Sequence, residues 1–184
     1  FNSETGQKLW MHSVTNAVTS KIISQKYGSI HPEEAFVTGL IHDIGRLILS
    51  QHFPEEFEFF NLSSSDTKTF IPIEENIFGM NHAKIGSMLA KKWNLPDKIS
   101  EAIKYHHNPD TVVHNQAALI TCIADGITLY IESNETKMSL STKDISYFVK
   151  PEYMMKLKIK SVPEEMIEDI RDKTKSFLDI ISSV

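Results

Sequence analysis

The sequence predicts an all-α protein, a helical bundle, and three observations carry that prediction. Apolar residues recur at helical spacing through most of the 184 residues. No segment alternates apolar and polar with period two, and seven glycines are too few for the turns of an all-β fold. Proline, glycine and asparagine cut the chain into blocks of helical length.

The blocks can be taken in order. Leu9 to Tyr27 carries a stripe of Trp10, Val14, Ala17, Val18 and Ile22, and stops at Tyr27-Gly28-Ser29. Pro32 with Glu33 and Glu34 opens a second helix, with proline in the first turn and acids near the positive end of the dipole. Its stripe is Phe36, Gly39, Leu40, Asp43 and Leu47, so Asp43 points where the core points. Asn61 to Thr69 is a polar, serine-rich loop. Glu74 to Trp93 reads as one helix, with His82, Gly86, Leu89, Ala90 and Trp93 on one side. Asn94-Leu-Pro-Asp97 then starts another, where Ile99, Ala102, Ile103 and His106 share a face. Gln116 to Ile131 is the most apolar helix and contains Asp125, and Pro163 to Val184 is a last amphipathic helix. No internal repeat is present. The length suits a single domain over 1–184, with a core of about 9–130 and a C-terminal helical extension of about 141–184.

Composition removes several function classes. Hydrophobic residues make up 41% and charged residues 23%, and the formal charge is -5. No basic run interleaved with aromatics occurs, so nucleic acid is not expected as a partner. No apolar run approaches the ~20 residues of a membrane span, and the start lacks a signal peptide's pattern. The single Cys122 excludes an intrachain disulfide, suits a reducing, cytoplasmic compartment, and reads as a small buried hydrophobe. The chain begins without Met and is expected to be a piece of something longer.

The chemistry lies in a scattered set of ligand-type residues. His42-Asp43 stands in Gly39-Leu-Ile-His-Asp-Ile-Gly-Arg46; His12 precedes it, and His82, His106-His107 and Asp125 follow. Each sits within or beside an apolar helical block. Asp43 and Asp125 matter most, because an ionised carboxylate facing a core needs a cation or several donors. Imidazole with carboxylate and no thiolate suits one or two divalent transition-metal ions: Fe, Mn, Ni, Co or Zn. Seven ligands could fill two shells if Asp43 bridges, and paired ions ~3.5–4 Å apart suit in-line phosphoryl displacement. His31, His52 and His114 lie in turns or polar surroundings and are expected at the surface, as are Glu101 and Lys104. No Gly-rich phosphate loop, nucleophile elbow or CxxC competes.

The order His12, His42-Asp43, Asp125 resembles the signature of the HD superfamily of metal-dependent phosphohydrolases. More specifically the chain resembles the HDOD domain, an output domain of bacterial signalling proteins. The resemblance rests on Leu9-Trp10-Met-His12-Ser13, Glu33 to Arg46, Glu75, Phe78-Gly79-Met-Asn-His82-Ala-Lys-Ile-Gly86, Trp93 to Ile99, Ala102 to His107 and Ala124-Asp125. It implies an HD-type bundle with a central metal site. His12, His42, Asp43 and Asp125 would form the first shell; His82, His106 and His107, with Asp43 shared, would form the second. The family normally has a further helical portion ahead of Trp10. The branch that hydrolyses cyclic di-guanylate carries Gly-Tyr-Pro after its histidine doublet, where this chain has Asn-Pro-Asp, so that activity is not expected. That branch has lysine where Arg46 stands, and arginine keeps the charge and can grip phosphate bidentately.

Two functional expectations follow. The first is a metal-dependent phosphohydrolase acting on a nucleotide-like phosphoester, such as a second messenger, with Asp43 at the metals and Arg46 or Lys84 offsetting developing charge. The second is a non-catalytic signalling module that binds protein partners and keeps the metals as a structural rivet or sensor.

Overall fold

The computed structural model describes residues 4–28, 30–63, 70–133 and 145–183. Over these the chain is helical, with no β-strand among the described residues, as expected. The helices are α1 (Glu4–Tyr27), α2 (Pro32–Ile41), α3 (Ile44–His52), α4 (Pro54–Ser63), α5 (Phe70–Phe78), α6 (His82–Lys92) and α7 (Asp97–Tyr105). A 3-10 turn, Pro109–Val112, precedes α8 (Gln116–Ser133), α9 (Pro151–Lys156) and α10 (Glu164–Ser182).

α1 is the axis of the bundle and packs on α2, α8 and α10, while α6 bridges α3 and α7. The largest core cluster joins Ile22 and Ile23 of α1 to Ile120, Ile123 and Ile127 of α8. Met154 of α9 and Met166 and Ile170 of α10 close it from the other side. Burying side chains of this size contributes on the order of 1.5–3 kcal/mol each, which fixes α1 and α8 as a rigid frame.

Two expected helices are each broken in two. The stretch from Pro32 through Leu47 divides at His42-Asp43, where Asp43 has φ −99° and ψ 13° and Arg46 N–H bonds the Asp43 carbonyl at 2.8 Å. Neighbours on a continuous helix diverge by about 100°, so both side chains of the doublet could not face one point without this break. The stretch from Glu74 to Trp93 divides at Gly79–Asn81, where the Asn81 side chain accepts from the Lys84 N–H at 2.9 Å and caps α6. Trp93, expected on the inner side of that helix, lies past its end and is half-exposed.

The polar stretch expected as a loop from Asn61 is helical through Ser63, and residues 64–69 lie outside the described residues. α4 itself opens on Pro54-Glu55-Glu56, the same start signal as Pro32-Glu33-Glu34. His31, His52 and His114 are exposed, as expected. Cys122 is only half-buried, because it borders a cleft described below.

Candidate metal centre

Two kinds of helix position supply the seven ligand-type side chains. His12 and Asp125 project from the middles of α1 and α8, the two helices of the frame. His42-Asp43 fills the break between α2 and α3, His82 is the first residue of α6, and His106-His107 follows the last turn of α7. Both doublets therefore sit where the backbone leaves the helix, which frees adjacent side chains to converge.

The convergence is close. Ligand atoms of His12, His42 and Asp125 lie within 4.8 Å of one another, as do those of Asp43, His82, His106 and His107. Asp43 joins the groups. Its Oδ1 is 3.2 Å from His82 Nε2, 3.7 Å from His106 Nε2 and 3.6 Å from His42 Nε2, and its Oδ2 is 3.9 Å from His12 Nε2. Asp125 Oδ1 stands 3.1 Å from His12 Nε2 and 3.9 Å from His42 Nε2. α3 reaches α6 closely enough for this because residue 45 is glycine: a Cβ there would fall 2.0 Å from the His82 carbonyl oxygen.

An outer ring of acceptors orients the imidazoles. His42 Nδ1 donates to the Gly39 carbonyl at 2.7 Å and His106 Nδ1 to the Ile103 carbonyl at 2.6 Å. His82 Nδ1 donates to Glu74 Oε2 at 2.6 Å, and His12 Nδ1 to Glu132 Oε2 at 3.1 Å. An acceptor at Nδ1 places the proton there and turns the Nε2 lone pair inward, the arrangement of metal-bound histidine. His42 Nε2 and His106 Nε2 are buried with no hydrogen-bond partner, a cost that a cation would remove. His82 Nε2 and His107 Nε2 meet at 2.9 Å, so one of these two nitrogens donates to the other. The residues present fit a metal.

The charges sort accordingly. Burial pushes all the inner imidazoles down, and for His42 and His106 it prevails, holding both below the usual histidine value. For His82 the opposing Asp43 and Glu74 outweigh burial and lift it to about 9, and Glu132 with Asp125 does the same for His12, which is raised well above its ordinary value. Burial also disfavours ionised Asp43 and Asp125, but His42, His82 and Arg46 around the first and His12 around the second hold both carboxyls low. His107, crowded by protein and by His82, is held down to about 4, although the residue as a whole is exposed where it meets the cleft.

Arg46 stays beside the cluster, its Nη1 3.5 Å from Asp43 Oδ2 and its side chain 12% exposed. Lys84 does not join it. It is exposed, and its Nζ bonds Glu75 Oε1 at 2.7 Å. Glu75, one of the residues carrying the resemblance, is likewise at the surface, and the neighbour that reaches the centre is the fully buried Glu74. The sequence reading missed Glu74 and Glu132. Glu132 was findable, since it stands seven residues after Asp125 and so on the same face of α8; nothing in the sequence separates Glu74 from Glu75.

Asp125 and His107 also border a cleft of about 470 Å³, walled by the segment from Ser146 to Lys150. One side of the centre is thus open to a small molecule.

A model of the HDOD domain family matches residues 2–109. The chain belongs to the HDOD family. Over 94 residues it is 28% identical to an uncharacterised protein of Treponema pallidum (strain Nichols), covering 50% of this chain and 18% of that protein. It is 26% identical over 128 residues to ribonuclease Y of Aquifex aeolicus (strain VF5), covering 70% of this chain and 18% of that protein. This HDOD chain thus spans about a fifth of the length of the curated relatives it matches. Among solved structures, the MmoQ response regulator of Methylococcus capsulatus str. Bath shares its fold with a TM-score of 0.61 at 22% identity, over 82% of this chain and 60% of that one. An HDOD domain protein of unknown function from Geobacter sulfurreducens matches with a TM-score of 0.55 at 22% identity, over 95% and 60%. No helix among the described residues is long and apolar enough to cross a membrane.

Proposed function

We propose that this HDOD domain is a metal-dependent phosphohydrolase acting on a nucleotide-like phosphoester in bacterial, cytoplasmic signalling. The observation that carries the reading is a buried centre of inward-turned imidazoles, two of them bare at Nε2, that borders an open cleft through Asp125 and His107. A purely structural metal site is closed on all sides, whereas a catalytic one keeps a position accessible.

His12, His42 and Asp125 would hold one ion, and His82, His106 and His107 a second, with Asp43 placed to serve both. Divalent ions so held would supply Lewis acidity to phosphoryl chemistry. The chain's own residues do the rest. Glu74, Glu132 and the Gly39 and Ile103 carbonyls hold the rings in one tautomer. Arg46 adds a positive charge beside Asp43 to offset charge developing on phosphorus-bound oxygens. Lys84, paired at the surface, is left out of this role.

Ribonuclease Y, by its name, acts on RNA, and this supports phosphodiester chemistry at a related centre. The second reading, a non-catalytic signalling or protein-interaction module with a structural or sensing metal, draws on the likeness to a response regulator. The cleft beside Asp125 favours the first.

The deciding experiment is turnover of bis-p-nitrophenyl phosphate and a panel of nucleotides by protein loaded with Mn²⁺, Fe²⁺, Co²⁺, Ni²⁺ or Zn²⁺. Hydrolysis abolished by His42→Ala is the expected result. Metal-replete protein inert across the panel leaves the signalling module.

A further inference from the structure

We propose that the segment bearing Tyr147, Phe148 and Lys150 is the substrate-recognition wall of the cleft, and that it selects a mononucleotide: the base lies against Tyr147, and Lys150 meets a phosphate. The inference rests on the phosphoester reading above and names its substrate class.

The cleft holds two chemistries side by side. His107 and Asp125 bring it to the metal centre, and Tyr147, Phe148 and Lys150 come from the connection between α8 and α9. Its volume of about 470 Å³ suits a single small molecule. Tyr147 is half-exposed at 53%, its ring edge-on to Phe148 with centroids 5.1 Å apart, and Ile71 and Leu129 add apolar surface nearby. A half-exposed aromatic ring with apolar neighbours is what a nucleobase stacks on.

Lys150 supplies the charge. Its Nζ bonds the Tyr153 hydroxyl at 3.2 Å and forms no ion pair among the described residues. Lys156, six residues on, differs: Asp110 already pairs with it. Asp110 reaches Lys150 only through the Tyr153 hydroxyl, which donates to Asp110 Oδ2 at 3.1 Å, so Lys150 keeps donors for an anion in the cleft.

The wall is held in place rather than merely nearby. Gly126, the residue after Asp125, is covered so tightly by Val149 that a Cβ there would lie 1.9 Å from Val149 Cγ2. Phe148 stacks edge-on against Tyr130 of α8, centroids 6.2 Å apart. Tyr147 and Lys150 therefore flank two residues, Phe148 and Val149, packed onto the helix that carries Asp125. The wall also lies outside residues 2–109, the part matched by the family model, so this selectivity would belong to the C-terminal part of the chain. The formal charge of -5, with no basic run in the sequence, argues against a site that follows a polymer backbone.

The test is calorimetric titration of the Mn²⁺-loaded chain with adenosine 5′-monophosphate, ribose 5-phosphate and a ten-nucleotide RNA. The mononucleotide should bind at least about tenfold tighter than ribose 5-phosphate, the scale of one base stacked on an aromatic ring. Tyr147→Ala should cut that preference below about threefold with ribose 5-phosphate affinity and metal content held, and Tyr147→Phe should restore it. Lys150→Met should weaken both sugar phosphates alike, with recovery in Lys150→Arg. Equal binding of the two sugar phosphates, a preference unmoved in Tyr147→Ala, or RNA bound far more tightly than the mononucleotide overturns the proposal. Base-selective binding without turnover would sink the hydrolase reading and leave this one standing; turnover without base selectivity would do the reverse.

Discussion

Glu74 grips His82 twice: one oxygen, Oε2, accepts from the ring Nδ1 at 2.6 Å and from the His82 backbone N–H at 2.9 Å. The carboxylate is fully buried, forms no ion pair with lysine or arginine among the described residues, and reaches across the break between α5 and α6. It both fixes the imidazole and pins the first residue of α6. In Glu74→Gln the side chain keeps its size but loses the charge that polarises the ring. Metal affinity should fall about 10–100-fold, as for other residues that orient a ligand. Competition against a chelating indicator measures this, and unchanged affinity would show that Glu74 only caps the helix.

Asp43 is the electrostatic keystone of the metal-free centre. Burial alone would push the His82 imidazole down, and it is Asp43, with Glu74, that lifts it to about 9. In Asp43→Asn the His82 ring resonance, followed by NMR in metal-free protein, should titrate well below its parent value. The variant should also retain fewer ions than the parent, since both ligand groups lose a shared carboxylate. A titration at the parent value would place the anion elsewhere.

The stability of the metal-free protein should be bell-shaped in pH. His12 and His82 have raised folded values, so their contribution is complete below the unfolded histidine value of about 6.5 and is lost as pH rises through about 9 for His82. His42 and His106 have lowered folded values, so their contribution is present above about 6.5 and is lost as pH falls. The two trends place the maximum near pH 6.5. Saturating Mn²⁺ displaces the protons of His12 and His82, so its increment in Tm should grow from pH 6.5 to 8.5. Thermal melts across that range check both signs, and an increment that shrinks with pH contradicts the assignment.

Gly45 sets the distance between α3 and α6. A Cβ would meet the His82 backbone at 2.0 Å, and backbone cannot swing aside as a side chain can. Gly45→Ala should cost on the order of 1–3 kcal/mol or more, a fall in Tm of at least about 2 °C, and should weaken metal retention as well. A melt within a degree of the parent would show that α3 can shift without harm.

Much of this was legible in the sequence, and what was not has physical reasons. Helical periodicity exposed the stripes of α1, α8 and α10, and the costly carboxylates Asp43 and Asp125 marked the centre because a core does not tolerate them alone. Periodicity could not show the breaks at His42-Asp43 and Gly79–Asn81, since two short helices in near register keep one apolar stripe. The breaks are nonetheless what allow adjacent ligands to converge. Glu74 was hidden because a buried carboxylate beside an exposed one looks identical in sequence, and proximity of Lys84 to His82 in sequence did not show that its ammonium pairs with Glu75 at the surface.

Metal analysis by inductively coupled plasma mass spectrometry, on protein loaded with Mn²⁺ and desalted, tests the central claim most directly. The account predicts about two ions per chain in the parent, with selective loss of one in His12→Ala and one in His106→Ala. A parent that retains no more metal than a chain carrying both His12→Ala and His106→Ala would contradict it.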